Sequence, residues 1–208
     1  MSVVSLNFAA EKLLEAAMKY YESGEYVKPF QSKDLADCVV QHAAAAGVAA
    51  MGVNLIPGAG GIISGGVITG AIWTMYIKIC KIIGVPFTKN KLKALSSALL
   101  TNIATNLASV LAFNFIPGAG AIAAGVAVFS ATYFAGLIFL IMLTKLFKTE
   151  RTDNLEFDDN AWKESFKSAL KDVDKKAIIK EAKDLFMNMR NNGTLEDAGK
   201  DVVFESED

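Results

Sequence analysis

The chain has 208 residues, a formal net charge of −1, 52% hydrophobic residues and a mean hydropathy of +0.33, which allows one domain with a small helical extension. The near-zero net charge hides a segregation: residues 1–149 hold eleven lysines and six acids, whereas residues 150–208 hold ten basic residues and sixteen acids. A basic apolar body with an acidic tail suits an anionic bilayer surface, and without basic residues interleaved with aromatics it excludes single-stranded nucleic acid as a partner.

The first element is an amphipathic helix over residues 5–22, with Leu6, Leu13, Leu14, Ala17, Met18 and Tyr21 near one face. Its early acids make it unlike a signal peptide. Beyond it, charge vanishes: no formal charge lies between Asp37 and Lys78, and none between Lys93 and Lys145. A helix with a wet face shows charge every turn or two, so these gaps predict helices without one. Pro-Gly elements split the gaps into four apolar arms of roughly 36–55, 58–83, 91–115 and 118–147. Arms of about twenty residues match the roughly 30 Å hydrocarbon core of a bilayer.

The splitting element is repeated. NLIPGAGGI from Asn54 to Ile62 returns as NFIPGAGAI from Asn114 to Ile122, and nine of eighteen positions are identical between Asn54–Ala71 and Asn114–Ala131. Pro57 and Pro117 end one helix and suit the first turn of the next. Gly58, Gly60, Gly118 and Gly120 permit a tight reversal, and Asn54 and Asn114 can cap the groups it opens. Beyond the tips, Gly61, Gly65, Gly66 and Gly70, with Gly125 in the second copy, form small-residue faces suited to close helix packing. Neither copy follows a strand or ends in a Lys-Ser/Thr pair, so a phosphate loop is excluded. The predicted fold is all-α: two Gly/Pro-tipped apolar helical hairpins forming an internal repeat, flanked by amphipathic N- and C-terminal helices. Its parts are residues 1–34 (helix and linker), 35–149 (the apolar four-helix core) and 150–208 (charged helix and acidic tail).

The link between the hairpins carries Lys78, Lys81, Lys89, Lys91 and Lys93 and no acid, and Lys145, Lys148 and Arg151 follow the second hairpin. The excess of positive charge predicts both segments on the cytoplasmic side, with the termini, so that the hairpins enter a membrane from one face. In the third arm, Ser97, Thr101, Asn102, Thr105, Asn106 and Ser109 form a polar stripe that calls for interhelical partners. Trp73, Tyr76, Tyr133 and Phe134 read as packing residues or interfacial anchors. Residues 160–190 read as one amphipathic helix, with Trp162, Phe166, Leu170, Val173, Ala177, Leu185, Phe186 and Met189 on its apolar side. Asn192-Gly193 reads as its stop, and the closing DVVFESED as a solvated acidic tail.

Catalytic chemistry is missing from the pattern. His42 is the single histidine and sits within QHAAAAG, Cys38 and Cys80 lie in apolar stretches, and no zinc set or Ser-His-Asp arrangement is readable. No enzyme, cofactor or metal is expected.

The stretch from about Ala43 to Phe147 resembles the bacterial domain of unknown function 697, which is often fused to or found beside GTPase domains. The likeness rests on NLIPGAGGIISGGVITGAIWTMYIKICKIIGV, FTKNKLKALSSALLTNIA and FIPGAGAIAAGVAVFSATYFAGL. It implies membrane association and, since no nucleotide-binding motif is present here, a GTPase acting in trans. The first functional expectation is therefore a self-associating helical membrane protein that anchors in or remodels a bilayer. A pore-forming effector, soluble until a trigger inserts its hairpins, and a soluble helical scaffold are the alternatives.

Overall fold

The computed structural model describes residues 5–22, 29–53, 60–85, 120–149 and 159–204. Among these residues every regular element is helical: α1 (Leu6–Glu22), α2 (Ser32–Val53), α3 (Gly60–Ile83), α4 (Gly120–Thr149), α5 (Asp159–Lys171), α6 (Lys175–Asn191) and α7 (Leu195–Gly199). The all-α expectation holds to that extent. The tip residues Asn54, Pro57, Gly58, Asn114, Pro117 and Gly118 and the third arm, 91–115, lie outside the described residues.

The centre of the fold is α4. It touches α1, α2, α3, α5 and α6, and its apolar residues have no wet side to lose. Phe129, Leu137, Ile138, Phe139, Leu140, Met142 and Leu143 are all fully buried. Each such side chain contributes roughly 1.5–3 kcal/mol by leaving water.

Directions follow from contacts and chain length. Gly47 of α2 meets Gly125 of α4, and Val39 meets Gly136, so α2 and α4 are antiparallel. Only six residues separate α2 from α3. At about 3.5 Å per residue they cannot return the chain to the far end of a 22-residue helix some 33 Å long. The packed pair is therefore antiparallel too. Consequently α3 and α4 run parallel, with Tyr76 donating its hydroxyl to the Ala135 carbonyl at 3.2 Å and stacking on Phe139 at 4.0 Å. Their first described residues, Gly60 and Gly120, hold the same position of the sequence repeat.

The C-terminal region departs from the single helix expected over 160–190. The helix breaks after Lys171, and Asp174 restarts it by accepting the backbone amides of Lys176 and Ala177 at 3.0 and 3.1 Å. An aspartate that satisfies two open amides competes with continuation of the helix, a local choice that a periodic apolar stripe does not reveal. The predicted stop is present. Gly193 adopts φ +70°, Thr194 donates its backbone amide to Met189 and Gly193 donates to Arg190, closing α6 in a Schellman turn. The segment after it is not simply solvated. Leu195 and Gly199 are buried and Phe204 packs on the core.

Candidate functional site

The feature most open to a functional reading is the trio α2, α3 and α4 with the helices that cover it. Ser32–Gly52 and Gly120–Lys148 are long and apolar enough to cross a membrane, a property that core helices of soluble proteins share. In the most apolar stretch of α4, 89% of residues are buried inside the fold, against 56% in α2. The apolar length of α4 is therefore satisfied by protein.

Charge on the trio is confined to one pole. Lys33, Asp34 and Asp37 open α2; Lys78 and Lys81 stand exposed near the end of α3; Lys145 and Lys148 lie near the end of α4. Given the helix directions, these residues share one end of the bundle. The opposite pole, where α2 ends and α3 and α4 begin, carries no formal charge on the three helices. Ile122 is among its exposed residues. Lys89, Lys91 and Lys93 of the basic link lie outside the described residues.

Around the trio stand amphipathic helices. Leu6, Ala9, Ala10, Leu13, Ala16 and Ala17 of α1 are buried against α2 and α4. Phe166 and Ala169 of α5 and Ile178, Ala182 and Phe186 of α6 are buried likewise. Lys145 pairs with Asp172 at 2.5 Å, tying the end of α4 to the α5–α6 junction. Tyr133 donates its hydroxyl to Glu181 Oε1 at 2.8 Å, tying the middle of α4 to α6. The outer faces are wet and locally paired. Lys12, bonded to Glu15 at 2.7 Å, holds that carboxyl below its ordinary value, and Lys167 at 2.9 Å does the same for Glu164.

The small-residue positions separate clearly. Gly125 is the tightest point among those predicted. A Cβ there would stand 2.5 Å from Met51 Cγ, 3.0 Å from the Gly47 carbonyl oxygen and 3.1 Å from Phe186 Cζ. Gly70 faces Phe204, with ordinary contact at 3.6 Å. Gly61, Gly65 and Gly66 lie on α3, in a stretch whose side-chain surroundings fall outside the description. Sequence reasoning missed Gly47, Gly136 and Gly199. A Cβ on Gly136 would meet the Val39 methyls at 2.6 and 2.7 Å, and one on Gly199 would meet the Ala45 backbone at 2.5 Å. The eleven-residue step from Gly125 to Gly136, three helical turns, is the signal that could have marked the second site.

No family model, curated protein or solved structure matches the chain. The resemblance drawn from the Pro-Gly segments rests on those residues alone.

Side chains with chemical potential serve packing. His42 is 5% exposed and its Nδ1 donates to the Cys38 carbonyl one turn back, at 2.7 Å. Cys38 and Cys80 are free and buried. Trp73, Tyr76, Tyr133 and Phe134 are all buried, as packing residues. Among the described residues no group of His, Cys, Asp and Glu could hold a metal ion. A cleft of about 410 Å³ between α1 and the start of α2, lined by Asn7, Glu11, Ser32, Lys33, Ala36 and Asp37, presents no converging catalytic pair.

Proposed function

We propose that this protein acts at a lipid bilayer without catalysing a reaction, and that it carries its apolar helices sheathed in water until they are delivered to the membrane. The observation that supports this reading is the burial of α4. A stretch without a formal charge, long enough to span a bilayer, has 89% of its most apolar part covered by the chain's own helices. Three of the covering helices, α1, α5 and α6, turn charged faces outward, as a cover does that meets water rather than lipid. Of the readings open to the sequence, the inserting effector with a soluble state is therefore preferred, with the repeated hairpins as the inserting units.

The charge layout favours a second reading, the permanently anchored hairpin protein. Uncharged ends of α2, α3 and α4 gather at one pole, which suits tips facing lipid and basic segments left at the cytoplasmic surface. In that reading the protein self-associates through its small-residue faces and serves a GTPase supplied in trans.

Fractionation of the expressed chain decides between them. A sheathed protein leaves the cells in detergent-free buffer and becomes carbonate-resistant only after incubation with vesicles of phosphatidylethanolamine and phosphatidylglycerol. An anchored protein sediments with membranes through carbonate from the start and leaves with detergent. A chain that stays soluble and never enters vesicles is a helical scaffold, and both membrane readings then fall.

A further inference from the structure

The path of the last thirty described residues carries more than a sheath. Glu181 of α6 meets Tyr133, and Phe186, farther along α6, meets Phe129 edge-on at 5.4 Å and lies at the Gly125 crossing. Helix α6 therefore runs antiparallel to α4, toward the uncharged pole. At the Asn192–Gly193 turn the chain leaves α4 and α7 crosses onto α2, where Gly199 lies so close to Ala45 that a Cβ would stand 2.6 Å from its Cα. The chain then reaches α3, where Phe204 lies over Gly70. One continuous segment thus touches all three apolar helices in turn, on the side of the bundle where they have no charge of their own. Asp184, Arg190, Glu196, Asp197, Lys200 and Asp201 all stand exposed along it. It gives the uncharged half of the three helices a charged outer coat.

We propose that residues 175–204 form a releasable strap: docked, it keeps the uncharged ends of α2, α3 and α4 in water, and only its departure lets them enter a bilayer. This rests on the sheathed-insertion reading above. Its fastening is mechanical. The Phe186 ring lies at the Gly47–Gly125 crossing of α2 and α4, where the two glycines make room for it. The far end is held by α7 on α2 and by the Phe204 ring on α3, a shorter and more exposed grip, so release begins at the C-terminal side.

The 3.6 Å between a Cβ placed on Gly70 and the Phe204 Cβ falls in the range that a disulfide spans. The Gly70→Cys/Phe204→Cys double variant of the full chain therefore locks or frees the strap by redox state. Peptide mapping confirms that the bond joins these positions rather than the buried Cys38 or Cys80. Dye release and carbonate-resistant binding are read on phosphatidylethanolamine–phosphatidylglycerol vesicles at neutral and mildly acidic pH. The expected result is activity in the reduced form, its loss on oxidation, and its return when reductant is added. A Phe186→Ala variant that keeps its helical circular dichroism is expected to bind more than the parent chain. Equal activity of oxidised and reduced protein, or of Phe186→Ala and parent, overturns the strap while leaving insertion standing. Absence of binding in every form overturns both.

Discussion

Glycine does two different jobs in this chain, and substitution separates them. At Gly125 the space for a Cβ is already taken by Met51, the Gly47 carbonyl and Phe186. Met51 can swing aside, but the backbone oxygen cannot move without parting two helices. Gly125→Ala is expected to cost about 1–3 kcal/mol in urea unfolding followed by circular dichroism. Gly52 has nothing within 4 Å of its would-be Cβ and lies in the last turn of α2. Gly52→Ala is therefore expected to stabilise by a few tenths, at most about 0.5 kcal/mol, in the same assay, since alanine gives up less backbone freedom. An equal response at the two sites would remove the case for a close crossing. Tyr133 and Glu181 allow a similar comparison. Tyr133→Phe deletes the donor and should cost about 1 kcal/mol, whereas Glu181→Gln keeps an acceptor oxygen and should cost less.

Among the elements, α6 is capped by a single residue outside it. Asp174 satisfies two of the open amides at its start, so Asp174→Ala should cost about 1 kcal/mol, and Asp174→Asn or Asp174→Ser should restore most of it. The sheath helices also carry a pH dependence of defined sign. Glu15 on α1 and Glu164 on α5 titrate below their ordinary value of 4.5 because of Lys12 and Lys167. A depressed carboxylate contributes stability that is present above the unfolded value and is lost as pH falls through the folded one. Melting temperature should accordingly decline as pH drops below about 4.5. These pairs lie in open water, so the contribution is small and high salt should flatten it. A decline that high salt leaves untouched would assign the acid sensitivity to other groups.

For the whole molecule the arrangement resolves an apparent conflict of composition. Helices as apolar as α3 and α4 cannot stand in water alone, yet α1, α5 and α6 each have one apolar and one charged face. Packing the second kind around the first gives a body whose outside is charged and whose inside is a helix of membrane length. The same body has an uncharged half, and the strap runs along its flank. Removing the strap's hold should therefore change where the protein partitions more than it changes helical content. Comparing vesicle binding with circular dichroism on one Phe186→Ala sample tests this, and a fall in helicity that tracks the gain in binding would point to plain unfolding instead.

Much of this was legible beforehand. The first, second and fourth apolar arms, the amphipathic ends and the stop at Gly193 follow from local rules: charge spacing, turn chemistry and the backbone freedom of glycine. The break at Asp174, the glycines at 47, 136 and 199, and the return of Phe204 to the core were not legible. Each depends on what a residue meets from another helix, or on a contest between a local cap and a longer helix. Above all, an apolar helix has the same sequence whether lipid or protein covers it. Sequence determined that α4 must be covered; only the tertiary structure decided that the chain's own helices do the covering, because burial depends on which surfaces meet and not on the order of residues within one of them.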